Sequence, residues 1–332
     1  MAKPWVWLGI LTATTLGAGA SASANTFEIH CSELSARFRD APANATLVVS
    51  GSCGPITLSD RTQPIRIIGS QSADPRSGPR VSIRGLQLLN SREVEWVGGH
   101  FEAPEGIQGT GPNGYGINIR RSQNVRLQRV HVSNAGRAIV INSSDNVSIH
   151  GSYIENVRSE GINFVDSDGL QLVGNTFRNF SPTPTRCTLP DGQVLFRVRR
   201  SLCEGLGGTW RDGSHPDVFQ TWNAERRAVR NILVQANDIF LPFPGSAMGI
   251  TTHGAVRVEN MRVLDNKVFV DSAKAIFVHN CWGDCLVRGN TVGEASDQPP
   301  QTPGIHLGEF GEQRACGNTV LTRVRTGTEP CT

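Results

Sequence analysis

His215 and Asp217 stand two residues apart in the stretch DGSHPDVFQTW, with Pro216 between them. Proline locks its own φ and narrows the choices of the residue before it, so the imidazole and the carboxyl are held in one relation to each other. With His253, they are the groups expected to give and take a proton as general acid and base. Arg137 and Glu160 are the charged groups expected beside them. Two carboxyls that approach each other share a proton, bind a cation or are neutralised by a guanidinium. Asn163, Gln220, Lys274 and His279 would offer hydrogen bonds and charge to a polar ligand, and Trp222 a flat face for a ring to stack on.

These residues are far apart in the chain, and a repeat has to bring them together. NVRLQRVHVSNAGRAIVINSSD from Asn124 is followed by NVSIHGSYIENVRSEGINFVDSD from Asn146, 22 residues on, and then by GLQLVGNTFRNF from Gly169. The theme returns at Asn231, Asn260 and Cys285, and a last echo begins at Ala315. A fixed period in this range signals a solenoid. Within each unit apolar residues alternate, as in Val125 and Leu127 or Ile139 and Ile141, with Gly and Asn at the corners and no sustained helical period. Short parallel strands stacked about 4.8 Å apart, in about eight coils, fit this pattern. The Gly-Asn or Asp-Asn pairs (174–175, 265–266, 289–290, 317–318) mark turns, where Asn tolerates left-handed backbone and can bond to the next coil.

Aligning the second strand of each unit places Ile117, Ile139, Ile162, Phe219, Ile250, Ile276 and Ile305 in one inward column. One outward column then holds Asn118, Val140, Asn163, Gln220, Thr251, Phe277 and His306. A second, two residues further on, holds Arg120, Asn142, Val165, Trp222, His253, His279 and Gly308. A third lies ahead of each strand: Tyr115, Arg137, Glu160, Asp217, Met248, Lys274 and Pro303. Asp217 therefore follows Glu160 by one coil, about one strand spacing away and within Coulombic reach of Arg137.

A solenoid must hide its ends. Phe27, Cys31, Leu34 and Phe38 recur every three or four residues, which predicts an amphipathic helix capping the first coil. Residues 181–214 depart from the repeat and read as an inserted arm; Asp191-Gly192 marks a turn, QVLFRVRR a strand and Cys187 with Cys203 a staple. The eight cysteines are expected to pair as sequence neighbours: Cys31–Cys53, Cys187–Cys203, Cys281–Cys285 and Cys316–Cys331. Zinc is the rival for Cys281 and Cys285, but there is no second such pair.

Residues 1–24 read as a signal peptide, with Lys3, an apolar run from Trp5 and a small-residue end at Ala22-Ser23-Ala24, leaving residues 25–332 as one mature domain. The even cysteine count agrees with export to the periplasm or beyond. No later run approaches the roughly 20 apolar residues of a membrane span. Net charge is +3, or +2 without Lys3, too weak to argue for nucleic acid. Beyond residue 24 only Lys267 and Lys274 are lysines and the other cations are arginines, whose planar fork suits carboxylates.

The opening TLVVSGSCGPITL with PIRIIG, and the repeated Asn-Val-led units, make the chain similar to the pectate-lyase-like superfamily of right-handed parallel β-helices, over most of residues 25–332. The resemblance implies an all-β, single-stranded right-handed parallel β-helix with an N-terminal capping helix. That superfamily includes polysaccharide lyases, glycoside hydrolases, uronan epimerases, phage tailspikes and adhesins. Calcium-dependent members carry a cluster of acids and a catalytic Arg or Lys with no clear counterpart here, so a calcium cofactor stays open. HPD at 215–217 has the elements of the epimerases' Asp-Pro-His in another order, and no residue roles carry across. The leading expectation is a monomeric lyase that cleaves an acidic, uronate-containing polysaccharide by β-elimination. Arg137, or a metal held by Glu160 and Asp217, would neutralise the uronate, and His215 or His253 would take the C5 proton. The alternatives are a hydrolase or epimerase, with Glu160 and Asp217 as acid and base, and a non-catalytic glycan-binding or surface solenoid.

Overall fold

The computed structural model describes residues 25–78, 80–196, 198–211, 213–214, 216–223, 228–242, 248–252, 256–297, 299, 301–308, 313–322 and 326–328. The expected signal peptide, His215, His253 and Cys331 lie outside them.

Each coil contributes three short strands, and strands of successive coils pair in parallel. One face is a nine-stranded sheet built from Ile56–Ser59, Leu86–Leu89, Tyr115–Arg120, Arg137–Asn142, Ile162–Val165, Asp217–Trp222, Met248–Thr252, Lys274–Val278 and Gly304–Leu307. That is one more than the expected eight coils, because the opening turns lack the Asn-led signature by which the repeat was counted. The other faces belong to one 22-stranded sheet. There Val125, Val147, Leu170, Ile232 and Met261 stand in register and face inward, each at most 1% exposed. Stacked aliphatic columns of this kind supply the apolar burial that holds the fold, about 1.5–3 kcal/mol for each full side chain.

The corners carry a second stabilising device. The backbone N–H groups of Asn175, Asn237, Asn266 and Asn290 each donate to the side-chain oxygen of the Asn one coil on, at 2.9–3.0 Å. The carboxamide Nδ2 atoms of Asn175 to Asn318 donate to the backbone of the preceding coil. Expected coil-to-coil bonding is thus present, but the left-handed residue is the one before each Asn: Gly174, Ala236, Asp265, Gly289 and Gly317 have φ of 54° to 69°. Asn is selected here for its amide and the preceding residue for the bend. Asn124, Asn146, Asn231 and Asn260, which open the repeat units, do take left-handed φ, at 54° or 55°.

In the nine-stranded face the inward column is as aligned: Ile117, Ile139, Ile162, Phe219, Ile250, Ile276 and Ile305 are successive partners. A second, small column precedes it. Ala138 and Ala275 are fully buried, and a Cβ on Gly249 would fall 2.0 Å from the Ala275 carbonyl oxygen. Two consecutive inward residues break the strict alternation, which turns the column of Arg137, Glu160 and Asp217 outward. In the last coil an irregularity puts Gly304, not Pro303, opposite Lys274.

At the N-terminus Phe27 belongs to a strand, Thr26–His30, paired with the first coil, and the helix proper runs Leu34–Asp40 with Leu34 and Phe38 fully buried. The helical spacing that included Phe27 fails there because Thr26–His30 can extend the sheet edge and bury Ile29. Cys31–Cys53, Cys187–Cys203 and Cys281–Cys285 are disulfides, which removes the zinc reading of the last pair. Cys316 is disulfide-bonded as well. The segment 181–214 forms a three-stranded antiparallel sheet (Arg186–Thr188, Val194–Phe196, Thr209–Arg211) and a helix, Arg200–Gly205. The strand within QVLFRVRR is only three residues long, and the chain turns into the helix at Arg200.

Candidate functional site

The outward columns of the nine-stranded sheet line a cleft of about 620 Å³ formed by Arg137, Glu160, Asn163, Val165, Gln220, Trp222, Met248 and Lys274. Consecutive strands set their order, since Asn163 pairs with Gln220 and Val165 with Trp222. A smaller hollow of about 250 Å³ continues from it past Gln220, Met248 and Lys274 to Phe277 and His279. The structure thus brings together all seven residues expected to hold a substrate: six in the cleft and His279 in its continuation.

Arg137 and Glu160 form a fork. Arg137 Nε donates to Glu160 Oε2 at 2.5 Å and Nη2 to Oε1 at 3.3 Å, with Tyr115 Oη 3.5 Å from Nη1. The Glu160 side chain is 6% exposed and that of Arg137 is 39%. Burial works against the guanidinium's charge, but the carboxylate and Tyr115 outweigh it and raise the Arg137 pKa. Arg137 therefore remains a cation, with one edge fixed by Glu160 and the remainder facing the cleft.

Asp217 is completely buried and does not line the cleft. Burial, opposed by a hydrogen bond with Thr251, and joined by the nearby charge of Glu160 against that of Lys274, pushes its pKa up to about 8. It carries a proton at neutral pH. The expected approach to Arg137 is not made, because Arg137 is engaged by Glu160 one coil earlier.

The hydrogen bonds fit a neutral acid. Gln220 Nε2 donates to Asp217 Oδ2 at 2.7 Å. Thr251 Oγ1 lies 3.1 Å from Asp217 Oδ1 and 3.1 Å from the Phe219 carbonyl oxygen, and one hydroxyl proton can serve only one of them. With the proton on Oδ1, the acid donates to Thr251, Thr251 donates to the carbonyl, and every group is satisfied. A neutral carboxyl and a carboxylate already neutralised by arginine do not suit calcium, which takes several anionic oxygens, so Glu160 and Asp217 do not fit the expected cation pair.

Trp222 is 41% exposed on the cleft wall. Lys274 Nζ sits 4.3 Å from the centre of the Phe277 ring, against which His279 stacks at 5.7 Å. Gly308 lies under His279, where a Cβ would meet the imidazole at 2.0 Å. Sequence reasoning did not single out Thr251, although its place in the Gln220 column was the available signal; the need for it appears only once Asp217 is seen to be buried.

The family model described as "Right handed beta helix region" matches residues 85–192. The chain is a right-handed parallel β-helix. This β-helix is similar to the Dettilon tailspike protein (12% identity, TM-score 0.42), covering 89% of this chain and 61% of that one, so it spans under two thirds of the tailspike's length. PfbA, a surface adhesin of Streptococcus pneumoniae, is similar at 12% identity, with 85% and 76% of the two chains covered and a TM-score of 0.42. An alginate lyase from Paenibacillus is similar at 13%, over 92% and 99%, with a TM-score of 0.38. No curated protein matches the sequence. No helix of the β-helix's described residues is long and apolar enough to cross a membrane.

Proposed function

We propose that the β-helix is an exported, monomeric enzyme that binds an acidic, uronate-containing polysaccharide across its nine-stranded face and cleaves it by β-elimination. The observation that carries this reading is the pair of cations lining one cleft: Arg137, fixed in orientation by Glu160, and Lys274. Proton loss from C5 of a uronate is slow until its carboxylate is neutralised, and a guanidinium in a partly buried cleft supplies that neutralisation. Trp222 gives a sugar ring its stacking face, and Asn163 and Gln220 bind hydroxyls. The base is His215 or His253, both next to this sheet in sequence. Asp217 acts here as a positioning residue: by taking Gln220 Nε2 it turns the carboxamide oxygen toward the cleft. The disulfides agree with an oxidising compartment.

The test is ultraviolet absorbance of unsaturated uronate with polygalacturonate, alginate, glycosaminoglycans and bacterial exopolysaccharides, with and without chelator. A rise that is lost in Arg137→Ala supports elimination. New reducing ends without absorbance would point instead to hydrolysis. Neither signal on any polymer favours a binding solenoid.

A further inference from the structure

The arm builds a second cleft. About 660 Å³ lies between it and the coils, with Tyr115, Arg137, Arg158 and Glu160 on the coil side and Arg186 and Arg211 on the arm. Arg137 and Glu160 line both clefts, so the two are continuous.

The charge of this second cleft is unbalanced. Arg186 and Arg211 are directly opposed in register on antiparallel strands of the arm, both exposed, and like charges so placed repel. Neither has an acidic partner among the described residues. The Arg158 guanidinium donates to the carbonyl oxygens of Gln108 and Gly109, at 3.1 and 2.9 Å, which fixes its position, and it has no acidic partner among the described residues. Glu160 is the one acid among the described residues of this lining, and Arg137 engages it. A disulfide-stapled arm therefore presents two guanidinium groups to the cleft that a third lines from the coil, and among the described residues no acid pairs with any of the three.

We infer that this cleft is a subsite for a negatively charged sugar residue of the bound polymer, held by Arg158, Arg186 and Arg211 next to the Arg137 cleft. The inference rests on the proposed polysaccharide groove and extends it. Guanidinium forks bind carboxylate and sulfate ester in the same two-pronged way, so the ligand chemistry is an anionic oxygen pair on a sugar, from either source.

The experiment is affinity electrophoresis of the full chain through gels containing polygalacturonate, alginate, dextran sulfate or plain dextran, at low and high salt. Both arginines are exposed, so Arg186→Gln/Arg211→Gln should leave the fold intact, and circular dichroism would confirm this. The expected result is retardation of the parent protein by an acidic polymer and not by dextran, with affinity at least tenfold weaker and less salt-sensitive in the double variant. Preference between the uronans and dextran sulfate identifies the anion. A control pair, Arg84→Gln/Arg288→Gln, removes two exposed charges outside both clefts and should bind like the parent. Equal loss in both pairs, no loss in the arm pair, or no retardation of the parent by any acidic polymer would overturn the subsite. Product formation measured on the same preparations separates the two readings: weakened binding in the arm pair with no cleavage by the parent sinks the lyase proposal alone.

Discussion

Asp217 and Gln220, three residues apart on one strand, are joined by a 2.7 Å hydrogen bond from the Gln220 amide to a carboxyl that keeps its proton to about pH 8. Gln220 lines the cleft and Asp217 does not. An unexposed acid thus sets the direction of an amide that lines the cleft.

The proton on Asp217 has a thermodynamic signature. An unfolded Asp217 ionises near its ordinary value of 3.8, whereas the folded one holds its proton to about 8. The folded state binds more protons in that window, so stability falls as pH rises through it and levels off above. Asp217→Asn, which keeps the shape without the ionisation, should flatten the fall. Melting temperatures of both proteins from pH 4 to 9 check this; parallel curves would mean that Asp217 is ionised.

Arg137→Ala leaves Glu160 nearly buried without its guanidinium. Loss of one partner of a fully buried pair costs about 3–5 kcal/mol, and the half-open Arg137 side reduces this to about 1–3 kcal/mol. Arg137→Lys restores charge but not the two-pronged contact and should recover part of it. Denaturant melts of the two variants give the comparison, and a loss below about 0.5 kcal/mol in Arg137→Ala would show the pair to be solvated.

Trp222 is open to solvent on the cleft wall, so Trp222→Ala should change stability by no more than about 0.5 kcal/mol. Its loss should nonetheless weaken polymer retention in an affinity gel, since stacking area is removed. Unchanged retention would take the ring out of the binding surface.

Asn266 sits inside the amide ladder, accepting from Asn237 and donating to the Val234 carbonyl. Asn266→Ala strands both groups at a site 1% exposed, at about 1–3 kcal/mol each. A drop of several degrees in melting temperature is expected. Asn124→Ala, at a half-buried corner where its partners Glu93 and Asn146 can turn to water, should cost less, and equal losses would contradict the ladder's role.

The register of the nine-stranded face was legible because one apolar residue per coil repeats in column, and a slip of one residue would expose every one of them. Along the inward column from Ile117 to Ile305 every partner is the one the alignment gave, and the register slips only ahead of the last strand, where Gly304 replaces Pro303 opposite Lys274. The burial of Asp217 was not legible: an outward position says which way a side chain leaves the sheet, not what packs above it. Glu160 and Asp217 were adjacent in column as expected, yet desolvation, which has no sequence signature, gave one a proton and the other an arginine. Arg186 and Arg211 escaped notice because the arm has no repeat, so their cross-strand meeting depends on where its hairpin turns. Phe27 fitted two periods, and the open edge of the first coil chose the strand.

The ladder has one more consequence. Asn175 and Asn237 are bonded as neighbours although 62 residues separate them in the chain, and Phe177 pairs with Ile239 across the same gap. The whole arm is inserted at a corner without disturbing the stack on either side. Frame and attachment are therefore mechanically decoupled. Such a joint allows the arm to be exchanged or lengthened while the columns beneath keep their register, so ligand preference can drift in evolution without the axle that carries it having to be rebuilt.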